Sequence, residues 1–330
     1  MKVLLTGGQG FLGRRVLDFL LEAGYQVRVA VRRPAPELEM LGAETLRVDL
    51  RDKTELYKAA QGVEGVVHCA GRTGICGPLN GYIEANTMTT ANVLSAARRA
   101  GASWLVQTSS PSVVHNGRPM NGVDESTPYT TVERHAYSYS KMLAERLTLA
   151  ADEPGFRTIA LRPHVIWGPQ DPHFLPRMIK RAKSGRLWLM KSHALMDATY
   201  VDNAAYAHLL AVQKLAAGAD IGGRAYFISQ GEPRPCIELM AEILKAASGG
   251  KLRINGFVPP WFGRAAGMLM ENLWRWLPLK GEPPLTTFVV EEMILPNWFK
   301  LDRARQDLGY KPLISTEEGL RRLAEAPAAL

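Results

Sequence analysis

Two hydrophobic periods take turns along the first half of the chain. Lys2-Val-Leu-Leu-Thr6 is a short apolar run of strand type, and Arg14 to Ala23 carries apolar side chains at helical spacing until Gly24 stops it. Gln26–Val31, Thr45–Asp49 and Val63–Cys69 read as the second, third and fourth strands. Ala85–Ala100 reads as a helix, Trp104–Ser109 as a strand, Tyr137–Ala150 as a helix and Thr158–Arg162 as a further strand. Strands alternating with helices predict a parallel sheet with right-handed crossovers, an α/β fold of the Rossmann-type doubly wound kind. After Pro163 the pattern turns irregular and richer in Pro and Trp, and it returns to the sheet around 197–230. The expected organisation is a dinucleotide-binding domain over 1–165 that takes back 197–230. A smaller, discontinuous substrate-binding portion covers 166–196 and 231–330. No internal repeat or low-complexity segment interrupts it.

The first strand runs into Gly7-Gly-Gln-Gly-Phe-Leu-Gly13, with glycines at 7, 10 and 13 between strand and helix. Such glycines allow a tight turn, close approach of backbone to a pyrophosphate, and tight helix–strand packing. The free N–H groups and positive dipole end of the following helix suit the same anion. At the end of the second strand an acidic residue would take a ribose 2′-hydroxyl, but this chain has Arg32 and Arg33 there and no carboxylate until Glu37. Two guanidiniums suit a 2′-phosphate, so NADP(H) is favoured and NAD(H) stays open.

Tyr137 and Lys141 stand four residues apart in the segment read as a helix, which puts them on one face. A phenol titrates near 10, and a neighbouring ammonium is expected to lower that value toward the range useful for proton transfer. Tyr139, two residues from each, points elsewhere.

Phe257 to Leu277 is the last strongly apolar stretch, interrupted by Arg264, Glu271 and Arg275. As a helix of roughly 25 Å it is too short and too charged to span a bilayer. A lid or wall over the substrate is expected first; a partner surface and an interfacial membrane helix are the other readings.

Composition adds limits. The chain has 330 residues, is 46% apolar and 22% charged, and carries a net charge of +8. Arg177, Lys180, Arg181, Lys183 and Arg186 cluster, but no aromatic-interleaved basic module or zinc spacing accompanies them, so no nucleic-acid partner is expected. Cys69, Cys76 and Cys236 form no CxxC and read as reduced thiols, and no charged leader precedes the first strand. A cytoplasmic protein is expected, with contact at the membrane surface left open through 257–277. His68, His115, His164 and His193 show no metal-ligand spacing, so no metal site is expected.

Taken together, Thr6–Gly13, Ser109-Ser110 after a strand, and the Tyr137/Lys141 pair resemble the extended short-chain dehydrogenase/reductases, relatives of the NAD-dependent epimerases and dehydratases. Leu161-Arg-Pro-His-Val-Ile-Trp-Gly-Pro169, Asp197-Ala-Thr-Tyr-Val-Asp-Asn-Ala204, Ala225-Tyr-Phe-Ile-Ser-Gln-Gly-Glu-Pro233 and Leu308-Gly-Tyr-Lys-Pro312 narrow the resemblance to the 3β-hydroxysteroid dehydrogenase branch. Within that branch the chain is most similar to bacterial 2-alkyl-3-oxoalkanoate reductases of olefin biosynthesis, and Gly281-Glu-Pro-Pro-Leu-Thr286 is part of the likeness.

The resemblance implies that Tyr137 passes a proton to a carbonyl oxygen, that Lys141 tunes it and holds the nicotinamide ribose, and that Ser110, with Ser109 as the other choice, hydrogen-bonds the substrate oxygen. It implies cofactor contacts at Gly7, Gln9, Gly10, Phe11, Leu12, Gly13, Arg32, Arg33, Asp49, Leu50, Ala70, Gly71, Tyr137, Lys141, Pro163 and Val165. Asn86 matches a helix asparagine that helps hold the active site, and a plain surface asparagine is the other reading. A homodimer is expected on the same ground. The implied activity is ketone–alcohol interconversion on a small hydrophobic substrate, first a long-chain 2-alkyl-3-oxo acid, as part of lipid metabolism, with a 3β-hydroxysteroid as the alternative. A nucleotide-sugar epimerase or dehydratase is disfavoured by the apolar C-terminal block, and a non-catalytic NADP(H) sensor by the intact Tyr/Lys pair.

Overall fold

A computed structural model describes residues 1–326 apart from 75, 76, 134, 173, 278–280 and 282. The seven central strands are β1 (Lys2–Thr6), β2 (Gln26–Val31), β3 (Glu44–Arg47), β4 (Gly65–His68), β5 (Trp104–Thr108), β6 (Arg157–Pro163) and β7 (Arg224–Ile228). They pair in the order β3-β2-β1-β4-β5-β6-β7, every neighbour parallel. Because strand side chains alternate between faces, Val3 and Leu5 join one core with Val16, Leu17 and Leu20 of the helix Phe11–Glu22. Leu4 joins another with Ala59, Val93 and Ala97 on the opposite face. The order reverses between β1 and β4, and ligands of open parallel sheets bind outside the strand ends at such a switch.

A second apolar cluster gathers Trp167, Leu175, Ile179, Leu189, Val290 and Met293 from the later segments. A four-stranded sheet ties this portion to the first half, since Asn297–Phe299 pairs in parallel with Met120–Val123. Phe299 also stacks on Phe227 of β7, with centroids 4.4 Å apart. Asp202 and Asn203 of the helix Val201–Ala216 serve as tethers. Asp202 pairs with Arg15 at 2.8 Å and Arg322 at 3.3 Å, while the Asn203 side-chain oxygen Oδ1 accepts from the amides of Leu313 and Ile314.

The segment read as one helix over 85–100 is a π-helical turn at Ile83–Met88 followed by the α-helix Thr89–Arg99. The hydroxyls of Thr89 and Thr90 donate to the carbonyls of Ala85 and Asn86 four residues back. Such a turn opens the backbone ladder and often marks a functional position; here it presents Asn86 inward.

Candidate active site

The glycine turn behaves as its spacing demands. Gly7 has φ +77, and a Cβ on it would lie 2.6 Å from the Ala70 nitrogen; one on Gly13 would lie 2.1 Å from the Gly7 carbonyl oxygen. Side chains at either position would push β1, the loop after β4 and the first helix apart, so the turn is a cradle shaped for close backbone approach. Gly10 caps the helix Phe11–Glu22 without a side-chain hydrogen bond, so its first N–H groups have no side-chain acceptor from the cap.

Gly7, Gly10, Phe11, Leu12 and Gly13 line one end of a cavity of about 520 Å³. Gly71, Tyr137, Lys141, Pro163 and Val165 line it further in. Val165 holds φ +33, a left-handed conformation that a β-branched residue rarely adopts, so strain sits in the cavity wall.

Tyr137 hydrogen-bonds the Ser110 side chain. Ser110 also receives the Ser112 amide at 3.2 Å, so one hydroxyl both caps the turn Pro111–Val114 and meets the phenol. Ser109 is buried and its hydroxyl makes no hydrogen bond among the described residues. Lys141 donates from Nζ to the Thr108 carbonyl at 2.5 Å. Its pKa is lowered to about 8, chiefly because burial penalises the ammonium, while the Glu145 charge pulls the other way.

The expected lowering of the Tyr137 pKa is not what the structure shows. It is raised: burial disfavours the phenolate and outweighs the Ser110 hydrogen bond. The reason is where the ammonium is aimed, at a backbone carbonyl of β5 rather than at the phenol. Tyr139 packs against the main core instead of lining the cavity.

Asn86 is no surface residue. Only 1% exposed, it accepts from the Arg72 amide at 2.7 Å, donates to the Arg72 carbonyl at 3.1 Å and donates to Ser140 Oγ at 2.9 Å. Ser140 in turn donates to the Tyr137 carbonyl, so Asn86 locks the loop after β4 to the helix Ala136–Ala150 that carries Tyr137 and Lys141. His68 lies under this loop between Thr6 and Thr90, and burial depresses its pKa to about 3, which keeps it neutral. Behind the helix, Glu145 and Arg162 form a buried pair at 2.6 Å, joined by the Tyr129 hydroxyl.

At the other end the cavity is apolar, lined by Ile166, Phe174, Met196, Met240, Val289 and Met293. No described residue of 257–277 lines it, so the expected lid is corrected: the wall comes from the helix Thr287–Ile294. Sequence spacing also hid a polar cluster that reaches the cavity lining through His164 and Glu292. His115 Nε2 lies 3.0 Å from Glu291 and Nδ1 3.5 Å from Glu292, and His164 Nε2 lies 3.5 Å from the other Glu292 oxygen. Burial opposes the imidazolium of His115, but the Glu291 hydrogen bond and both carboxylates raise its pKa. Ligand-type atoms of His115, His135 and Glu291 fall within 4.8 Å of one another, a grouping that metal-site spacing along the sequence did not show.

Arg32 and Arg33 are exposed at the end of β2. Asp49 is held at about 2 by its hydrogen bonds from Arg51, with the Arg32 charge adding to the effect. Arg51 thus adds a cation beside Asp49 near the end of β2, none of these residues lining the cavity. Cys69 lines the cavity, but burial raises its thiol to about 11, as burial raises Cys236 to about 12. Cys76 lies outside the described residues.

The family profile described as the 3-beta hydroxysteroid dehydrogenase/isomerase family matches residues 4–253. The chain belongs to that family. Its membership makes the chain an oxidoreductase of the alcohol–ketone kind that uses a nicotinamide dinucleotide. A 2-alkyl-3-oxoalkanoate reductase of Stenotrophomonas maltophilia is 42% identical over 332 residues, spanning 100% of both chains. Its namesake in Shewanella oneidensis is 38% identical over 97% of this family member and 84% of that protein. The solved structure of MoeE5 in complex with UDP-glucose and NAD has a TM-score of 0.75 at 22% identity, with 98% of each chain covered, and shows the shared fold.

Proposed function

We propose that this protein reduces long-chain 2-alkyl-3-oxoalkanoates to the corresponding 3-hydroxy acids with NADP(H). One observation carries the reading: Tyr137, bonded to Ser110 and on the helix of the buried Lys141, stands where a phosphate-cradling turn opens into an apolar chamber. When bound, the nicotinamide supplies or accepts the hydride. The chain's own part is the proton and the position. The Tyr137 hydroxyl donates to the ketone oxygen as that oxygen gains charge, and Ser110 donates to the same atom. Lys141 supplies a positive field and a donor for ribose hydroxyls. The backbone amides of the first helical turn hold the pyrophosphate, and Arg32 and Arg33 take a 2′-phosphate.

The apolar wall of Met196, Met240, Val289 and Met293 suits two alkyl chains. Arg72, whose guanidinium sits 4.6 Å over the Tyr82 ring, lines the catalytic end and has no carboxylate partner among the described residues. It is the cation that would receive an acid one carbon removed from the reacting ketone. The relatives named as 2-alkyl-3-oxoalkanoate reductases support this substrate class over a steroid.

The test is turnover at the nicotinamide absorbance, with long-chain 2-alkyl-3-hydroxy acids and a 3β-hydroxysterol each offered with NADP⁺ and NAD⁺. The branched acid with NADP⁺ is expected to give the highest kcat/KM. Turnover confined to the sterol would overturn the substrate, and a preference for NAD⁺ would overturn the cofactor.

A further inference from the structure

The helix Pro260–Trp276 is built inside out for a water-exposed surface. Two of its inward positions, 263 and 267, are glycines. A Cβ on Gly263 would fall 2.1 Å from the Met190 sulfur, and one on Gly267 would fall 3.0 Å from the backbone of Thr286 and Thr287. At these two positions the helix is therefore seated too close to the chain for a large side chain. Its large apolar residues stand outward instead, with Trp261 70%, Leu269 61% and Trp276 80% exposed.

Positions 261, 265, 268, 269, 272 and 276 recur at helical spacing along this outward side. Phe257 and Trp188, on the paired strands Gly256–Val258 and Trp188–Met190, extend the patch. Of the fifteen exposed large hydrophobic residues among those described, nine lie in these neighbouring segments, whereas single exposed apolar residues elsewhere need no explanation.

Charge says what would cover it. Glu271, the acidic residue of the helix, is turned back into the protein, where its carboxylate accepts from the amide and hydroxyl of Thr287. Arg186, Lys251, Arg253 and Arg264 are exposed in or next to these segments and form no ion pair among the described residues. An outward face of Trp, Met, Leu and Phe, with Trp near both ends, cations at its edge and its carboxylate withdrawn, matches the chemistry of an anionic bilayer surface. No described helix is long and apolar enough to cross a membrane, so the fit is to lying in the interface.

We propose that this face docks the protein onto anionic lipid, with Pro260–Trp276 lying flat among the headgroups. Neither a second copy of the chain nor a partner protein accounts for the withdrawn carboxylate and the one-sign rim, and both remain readable in the experiment. Full-length protein is floated with vesicles of phosphatidylcholine alone and of phosphatidylcholine with phosphatidylglycerol in equal parts. Binding to the anionic vesicles is expected at least about tenfold tighter and weakened by salt. Leu269→Glu with Trp276→Glu is expected to abolish flotation and leave turnover of a short soluble substrate unchanged.

Tryptophan emission of the wild-type protein gives an answer that does not depend on the variant folding, since it shifts to the blue on vesicles if these rings enter lipid. Failure of the wild-type protein to float, equal binding to both vesicles, or flotation that survives the double variant would each overturn the proposal. So would light scattering that shows a dimer dispersed by the double variant, without lipid binding by the wild type.

Discussion

Replacing Lys141 by methionine separates what the ammonium does for catalysis from what it costs the fold. Lys141 is 7% exposed, and its ammonium donates to the Thr108 carbonyl at 2.5 Å. Burial lowers its pKa from 10.5 to about 8. Each unit is worth about 1.4 kcal/mol, so keeping the group charged near neutrality costs the folded state roughly 3 kcal/mol. Methionine removes that cost but leaves the Thr108 carbonyl without its donor, a penalty of about 1–3 kcal/mol. At neutral pH the two effects nearly offset each other.

They part company with pH. Below about 8 the folded and unfolded chains both hold the proton; between about 8 and 10.5 the unfolded chain holds it more, so wild-type stability rises with pH through that window. Relative to Lys141→Met, the wild type is expected to gain about 2 kcal/mol between about pH 7 and about pH 9.5. Parallel urea titrations of both proteins at the two pH values measure this as a double difference, in which titrations common to both cancel. A difference that stays flat, or moves in favour of the variant, would refute the assignment of a strained buried ammonium. Turnover by the variant should be lost at both pH values.

Three further outcomes are expected. Tyr137→Phe should lower kcat by about 10²- to 10⁴-fold while nicotinamide fluorescence titration finds cofactor affinity little changed; near-normal turnover would remove Tyr137 from the proton path. Glu145→Gln leaves Arg162 buried beside Tyr129 without its carboxylate, so denaturant unfolding should show a loss of about 3–5 kcal/mol. A loss near zero would mean that the pair is dispensable. Arg32→Ser with Arg33→Ser should raise KM for NADPH by about tenfold or more and leave that for NADH nearly unchanged; equal effects on both would assign these arginines to solvent.

Much of the framework was legible because it rests on local rules. The short apolar runs at Val3–Leu5 and Val66–Val67 placed the sheet, and the glycines at 7 and 13 are required by contacts made around a strand–turn–helix unit. The Tyr137 and Lys141 spacing located the helix that carries them, since four residues make one turn.

What escaped depends on contacts between distant segments. His115 meets Glu291 across 176 residues, and no spacing rule reaches so far. The Tyr137 pKa moved opposite to expectation because the direction of one ammonium, toward Thr108, is set by packing of the helix on β5. The 257–277 stretch read as a lid because its composition is apolar, yet Gly263 and Gly267 turn that apolar face to the outside. Asn86 stayed open between a residue that holds the active site and a plain surface asparagine until the π-helical turn aimed it at Arg72 and Ser140.

The central claim is the pairing of this proton-transfer site with a branched acid. A single vessel holding purified protein, NADP⁺, a long-chain 2-alkyl-3-hydroxy acid and a 3β-hydroxysterol at equal concentration, with products read by mass spectrometry, tests it most directly. The branched 3-oxo acid, together with the ketone left when it loses carbon dioxide, should form well ahead of the 3-oxosteroid. Predominance of the 3-oxosteroid would contradict the account.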